Sequence, residues 1–172
     1  IQDCLYGCDQ DTLAGVIGKM LLDRKSTLAI AESCTGGNIA HLITSTPGSS
    51  GWFTGSVTAY SNQIKTAVLG VSPGTLEQFG AVSSQTASEM ALGIKKLMLS
   101  DFSVATTGIA GPDGGTPEKP IGTIWISVAG PTKFICEKFV LTGDRERFIQ
   151  RASQTALHLL RKLIVQETEK KG

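Results

Sequence analysis

Three short segments bring nucleophilic hydroxyls, a lysine and clustered glycines to points where a strand hands over to a helix or a loop. The first is Ala31-Glu32-Ser33-Cys34-Thr35-Gly36-Gly37. At such a junction free backbone N–H groups and the positive end of the helix dipole converge on whatever lies beside them. That arrangement can hold a phosphate or stabilise an oxyanion. Gly36 and Gly37 let a ligand approach the backbone closely. An ordinary capped helix after a glycine turn would read the same way, since Ser and Thr are common caps.

The second segment is Thr58-Ala59-Tyr60-Ser61-Asn62-Gln63-Ile64-Lys65. Lys65 lies one helical turn beyond Ser61, close to the helix start, where the dipole disfavours its charge. The same placement helps lower its pKa, as a lysine acting as a base requires. The alternative is a solvated surface lysine. The third segment, Thr106-Thr107-Gly108-Ile109-Ala110-Gly111-Pro112-Asp113-Gly114-Gly115, follows another strand and could form one wall of a pocket. It lacks the GK[ST] ending of a phosphate-binding Walker loop, and it is no dinucleotide fingerprint. A structural Ω-like loop is the alternative.

Other chemistries find less support. His41 and His158 each fall within a helix, far in sequence from a partner, and no H-E-x-x-H pattern exists. Cys34 reads as a buried, inert neighbour of Ser33 rather than as a nucleophile. Cys4 and Cys8 form the one close cysteine pair, and no second pair completes a four-ligand metal site. No metal is expected.

The elements that must position these residues follow from the periodicity. Asp11 or Thr12 can cap a helix with Leu13, Val16, Ile17, Met20 and Leu21 on one face. Strands are expected at residues 27–31, 56–60, 102–106, 121–128 and 134–140, the last two forming a hairpin about Gly130-Pro131. Residues 32–37 read as a polar turn. Ile39, Leu42 and Ile43 mark a helix stopped by Pro47-Gly48, and a short helix runs from Ser61 to Gly70. Another opens at Ser72-Pro73 and closes at Gly80. Ser83 or Ser84 caps a longer helix that turns Ala87, Met90, Ala91, Ile94, Leu97 and Met98 inward. A last helix, from about Asp144, buries Phe148, Ala152, Ala156, Leu159, Leu160 and Leu163. Strands alternate with helices and then give way to a hairpin. That order predicts the α/β class, a mixed sheet with helices on both faces, in three layers and one domain.

The chain has 172 residues, 41% apolar against 18% charged, which suits a globular domain with a core of its own. The net charge of +1 gives no basic footprint for nucleic acid. No apolar run approaches the roughly 20 residues of a membrane span. Residues 1–10, read as an irregular N-terminal segment, carry no signal-peptide pattern. With scattered cysteines this points to a cytoplasmic protein with reduced thiols.

Taken in order, several motifs resemble the CinA C-terminal domain family, which includes the nicotinamide mononucleotide deamidases. They are AESCTGG at 31–37, PGSS at 47–50, YSNQIK at 60–65 and GAVS at 80–83. TGIAGPDGG at 107–115, KPIGT at 119–123 and GDR at 143–145 complete the set. The resemblance runs over nearly the whole chain from Thr12. It implies a three-layer α/β/α domain that hydrolyses the carboxamide of nicotinamide mononucleotide to nicotinate mononucleotide and ammonia, a step in pyridine-nucleotide recycling. No metal or other cofactor is implied, and the family's habit implies a homo-oligomer.

Carried over by motif, Ser33 is the nucleophile and Lys65 its base. Tyr60 is a hydroxyl that relays a proton or orients the lysine, and Thr107 and Thr35 are hydroxyl donors lining the site. Backbone N–H groups around Thr35, Gly36 and Gly37 would receive the oxyanion. Asn62, Gly108 and Gly111 would contact the nucleotide, and Arg145 with the glycine loop would hold its phosphate. The chain departs from the family at Ile149 and Gln150, where a further arginine is common; Arg147 and Arg151 flank the gap. Two other functions fit the same loops: a nucleotide-binding module without catalysis, and a hydrolase of another small amide.

Overall fold

The computed structural model describes residues 11–168; the irregular segment expected at residues 1–10, with Cys4 and Cys8, lies outside them. Twelve elements follow the chain. Helix α1 (Leu13–Asp23) leads to strand β1 (Leu28–Glu32), helix α2 (Asn38–Thr44), a 3₁₀ turn (Ser49–Gly51) and β2 (Phe53–Thr58). Helices α3 (Asn62–Leu69), α4 (Pro73–Phe79) and α5 (Ser84–Leu97) come next. Strands β3 (Phe102–Gly108), β4 (Thr123–Ala129) and β5 (Phe134–Val140) precede the long helix α6 (Arg145–Thr168).

The five strands form one mixed sheet in the order β2-β1-β3-β4-β5. β1 is parallel to both its neighbours, while β3, β4 and β5 are antiparallel. All five residues of β1 are buried, as a parallel strand covered on both faces requires. Successive side chains point to opposite faces, and the two faces differ. Leu28, Ile30, Phe102, Val104, Ile124, Ile126 and Val128 join α1, α2 and α6 in the larger core. Ala29, Ala31 and Ala105 face the other way, and these small residues let Met90, Ala91 and Ile94 of α5 pack close to the sheet. The expected three-layer α/β/α architecture is therefore the one observed. Two sheet faces, with a helix layer on each, explain the alternating pattern.

Several boundaries move. β1 extends to Glu32, so this residue belongs to a buried strand end rather than to the polar turn. β2 starts at Phe53, not Ser56, because Phe53 and Gly55 pair with Leu28 and Ala29. It ends at Thr58, which frees Ala59 and Tyr60 to enter the site loop. β4 spans Thr123–Ala129, two residues later than expected at its start. Thr12 caps α1 and Ser83 caps α5, each side chain accepting a backbone N–H of its helix. Leu97, expected inward, is 49% exposed: it is the last residue of α5, on the side away from the sheet.

Candidate active site

The carboxyl ends of the three parallel strands converge, which is where open α/β sheets present their ligand crevices. β1 delivers Ser33, β2 delivers Ala59 and Tyr60, and β3 delivers Thr107 and Gly108. Helix α3 starts immediately after this end of β2. Ser61 caps it, accepting the N–H of Ile64, and this fixes Lys65 in the second turn with its side chain turned back over the sheet end.

Lys65 is 2% exposed. Its Nζ donates to the Ala59 carbonyl at 2.8 Å and to Ser33 Oγ at 3.2 Å. Among the described residues no carboxylate forms an ion pair with it. Burial therefore holds the lysine pKa below its ordinary 10.5, with the nearby Cys34 sulfur acting in the opposite direction. A buried lysine without a counter-ion, in contact with a serine hydroxyl, is a base set beside a nucleophile. Once the amine is neutral the contact can reverse, with Ser33 donating.

Around this pair lies a cavity of about 310 Å³. Ser33, Tyr60, Asn62, Lys65, Thr107, Gly108, Gly111 and Arg145, all proposed from sequence, line it together. Arg145 Nη1 donates to the Gly111 carbonyl and Nη2 to the Tyr60 hydroxyl, each at 2.7 Å. The guanidinium thus ties the start of α6 to the glycine loop and to the end of β2. Asp113, not singled out from sequence, adds a carboxylate to the lining.

Other expected positions fall elsewhere. Thr35 is buried beneath the cavity, its hydroxyl 2.8 Å from that of Thr106, and does not line it. Gly36 and Gly37 do not line it either, and their N–H groups are engaged. Gly36 donates to the Ser33 carbonyl and Gly37 to the Glu32 carboxylate. The donors of this turn to which no protein carbonyl or carboxylate is bonded, among the described residues, are the N–H groups of Cys34 and Thr35. Thr107 donates its hydroxyl to the Ala81 carbonyl at 2.7 Å, so toward a ligand it offers lone pairs and no proton. Tyr60 is 62% exposed and its hydroxyl bonds Arg145, not Lys65; the Ala59 carbonyl orients the lysine instead. Backbone carbonyls such as those of Ala59 and Ala81 carry no side-chain signal, which is why sequence reading missed them. Glu32 did carry one, an acid shortly before a glycine-led helix, a capping pattern.

The departure at Ile149 and Gln150 also finds its place. Ile149 packs against the larger core, and Gln150 faces a separate cleft of about 860 Å³ between α2, the end of β5 and α6. Arg147 pairs with Asp144, and Arg151 donates to the Thr142 carbonyl. Neither lines the Ser33 cavity, so neither stands in for a missing arginine there. The larger cleft holds amides, hydroxyls, His41 and Arg151, with no nucleophile and base in contact.

Cys34 borders the cavity, but its thiol is buried and its pKa is pushed up to about 12, mainly by burial. The thiolate is the reactive form. Iodoacetamide at pH 7.5 should therefore leave Cys34 unmodified in the folded protein and label it after denaturation. Labelling of the native protein, read by peptide mass spectrometry, would contradict this. No group of three or more metal-ligating side chains is found among the described residues, and no helix there is long and apolar enough to cross a membrane.

Comparison with known proteins gives a consistent picture. A family model described as the CinA C-terminal domain matches residues 10–164. A CinA-like protein of Endomicrobium trichonymphae is 49% identical over 165 residues, covering 96% of this chain and 39% of that protein. A putative competence-damage inducible protein of Thermoanaerobacter pseudethanolicus is 45% identical over 165 residues, covering 96% and 40%. The chain thus spans about two fifths of the length of these relatives. Among solved structures, the competence/damage inducible protein CihA from Agrobacterium tumefaciens superposes with a TM-score of 0.87 at 36% identity, covering 92% of this chain and 98% of that one. The competence damage-inducible protein A from Klebsiella pneumoniae gives 0.84 at 32% identity, covering 87% and 93%.

Proposed function

This chain belongs to the CinA C-terminal domain family, and from that premise we propose that it is an amidohydrolase acting on the carboxamide of nicotinamide mononucleotide. The observation that carries the reading is the buried contact between Lys65 Nζ and Ser33 Oγ, 3.2 Å long, with no carboxylate among the described residues paired to the lysine to keep it charged. An amide is a poor electrophile, so its hydrolysis needs an activated nucleophile and a held oxyanion.

Neutral Lys65 takes the Ser33 proton as Oγ bonds to the carboxamide carbon. The oxyanion that forms is received by the N–H group of Cys34, which borders the cavity. The carbon–nitrogen bond then breaks, Lys65 returns the proton, and ammonia leaves an ester on Ser33. Water attacks that ester with Lys65 again as base, giving the carboxylate and restoring the serine. Thr107, whose oxygen only accepts here, suits the amide N–H₂ of the substrate. A cavity of about 310 Å³ lies at the small end of ligand sites, a size suited to a mononucleotide.

Arg145 is the phosphate ligand in this reading, set 2.7 Å from the Tyr60 hydroxyl at the rim. A hydrogen bond to a charged group contributes about 1.5–3 kcal/mol. Arg145→Leu is thus expected to raise KM for the nucleotide about 10- to 100-fold with a smaller change in kcat. An unchanged KM would remove Arg145 from the phosphate site.

The function itself is tested by ammonia release from the metal-free protein, given nicotinamide mononucleotide and, separately, free nicotinamide. Release from the nucleotide alone is expected, with nicotinate mononucleotide formed in equal amount. Release only from another small amide would reassign the substrate. No release, with thermal stabilisation by the nucleotide, would make the domain a binding module.

A further inference from the structure

Glu32 is fully buried at the carboxyl end of β1, directly before Ser33. Its carboxylate accepts three backbone N–H groups, those of Gly37 at 3.0 Å, Ile39 at 3.1 Å and Ala40 at 2.9 Å. No cation pairs with it among the described residues. A buried carboxylate is costly unless hydrogen bonds satisfy it. Here the start of α2 supplies them, where unsatisfied N–H groups and the dipole both favour a negative charge.

The rest of the loop is tied as well. Ser33 N–H donates to the Thr106 carbonyl at 3.0 Å, Gly36 N–H to the Ser33 carbonyl at 3.1 Å, and Asn38 N–H to the Thr35 carbonyl at 3.1 Å. Gly37 sits at φ +99°, a conformation glycine adopts readily, and its N–H faces back onto Glu32. The nucleophile loop is therefore closed at one end by the sheet and at the other by a single side chain. Glu32 does not line the cavity and touches no reacting atom.

We infer that Glu32 is a positioning residue: as an internal anion on the start of α2, it fixes the Ser33–Gly37 loop so that Ser33 meets Lys65. The same bonds close that helix end to the substrate phosphate. The inference rests on the reading of Ser33 as the nucleophile.

Glutamine at position 32 would keep the volume but replace one acceptor oxygen with an N–H₂ donor facing N–H donors. In Glu32→Gln, folded by circular dichroism, kcat for ammonia release is expected to fall about 100-fold, with KM changed less than about threefold. A fluorophosphonate that labels nucleophilic serines should modify Ser33 about 100-fold more slowly in this variant. Wild-type rates of turnover and labelling in folded Glu32→Gln would overturn the inference, as would a raised KM with kcat unchanged.

The label separates two failures. A wild type labelled at Ser33 but inert toward the nucleotide removes the substrate and leaves positioning to be judged by labelling rates. A wild type not labelled at Ser33 removes the nucleophile and the inference with it. If Glu32→Gln does not fold, amide exchange of the wild type decides. Gly37, Ile39 and Ala40 should be protected as strongly as the amides of β3, and exchange at loop-like rates would overturn the proposal.

Discussion

Ser33→Ala and Lys65→Met are each expected to lower kcat for carboxamide hydrolysis at least about 1,000-fold while leaving the fold intact. Ser33→Ala deletes the attacking oxygen and makes room rather than crowding. Lys65→Met keeps a straight, buried chain of similar length while deleting the amine that contacts Ser33 and the Ala59 carbonyl. The double variant should lose little more than either single one, because the two residues act as a unit. Steady-state kinetics with circular dichroism checks this; a folded single variant retaining most of its activity would exclude the pair.

Lys65 also leaves a mark on stability, and its sign is opposite to that of an ion-paired lysine. Burial lowers its folded-state pKa below 10.5, so between the two values the unfolded chain binds more protons. Stability from this group therefore rises with pH across that window and is lowest below the folded-state value. Denaturant unfolding of wild type and Lys65→Met should show the wild type improving relative to the variant as pH rises from 7 to 10. A constant difference would mean the lysine pKa is the same in both states.

The second large effect is expected at Gly93, which does not line the Ser33 cavity. A Cβ there would lie 1.8 Å from the Leu69 carbonyl oxygen and 2.8 Å from its carbon. Both are backbone atoms at the end of α3, so no flexible side chain can yield; α3 and α5 would have to separate. Overpacking of this kind costs about 1–3 kcal/mol and more where backbone must move. Gly93→Ala should lower Tm by roughly 10 °C in a domain of this size. Because α3 carries Lys65, kcat should fall even where the variant is folded, since a misplacement of about 1 Å can cost on the order of 100-fold. A variant with unchanged Tm would show that the helices part without penalty.

The sequence made the chemistry more legible than its support. Their places beside helix starts mark Ser33 and Lys65 as candidates, the family resemblance supplies their roles, and their contact follows because β1 and β2 are parallel neighbours. Hydrophobic periodicity gave the three layers, because the sheet separates large residues such as Ile30 and Val104 from small ones such as Ala31 and Ala105. What stayed hidden depends on side-chain direction and backbone partners. Thr35 points down to Thr106, Thr107 spends its proton on Ala81, and Tyr60 turns outward to Arg145. Gly36 and Gly37 read as a ligand-facing turn, but Glu32 occupies that helix end from within. Leu97 satisfied the helical period yet faces solvent, since a period fixes a face and not where the neighbouring layer ends.

The most direct test of a neutral Lys65 acting on Ser33 is the pH dependence of kcat/KM for ammonia release from nicotinamide mononucleotide by the wild-type chain. The base works only when deprotonated. The rate is expected to rise with pH through a single ionisation below 10.5 and then level off. A rate that falls as pH rises through that range would mean that a charged lysine is required, and would contradict Lys65 as the base.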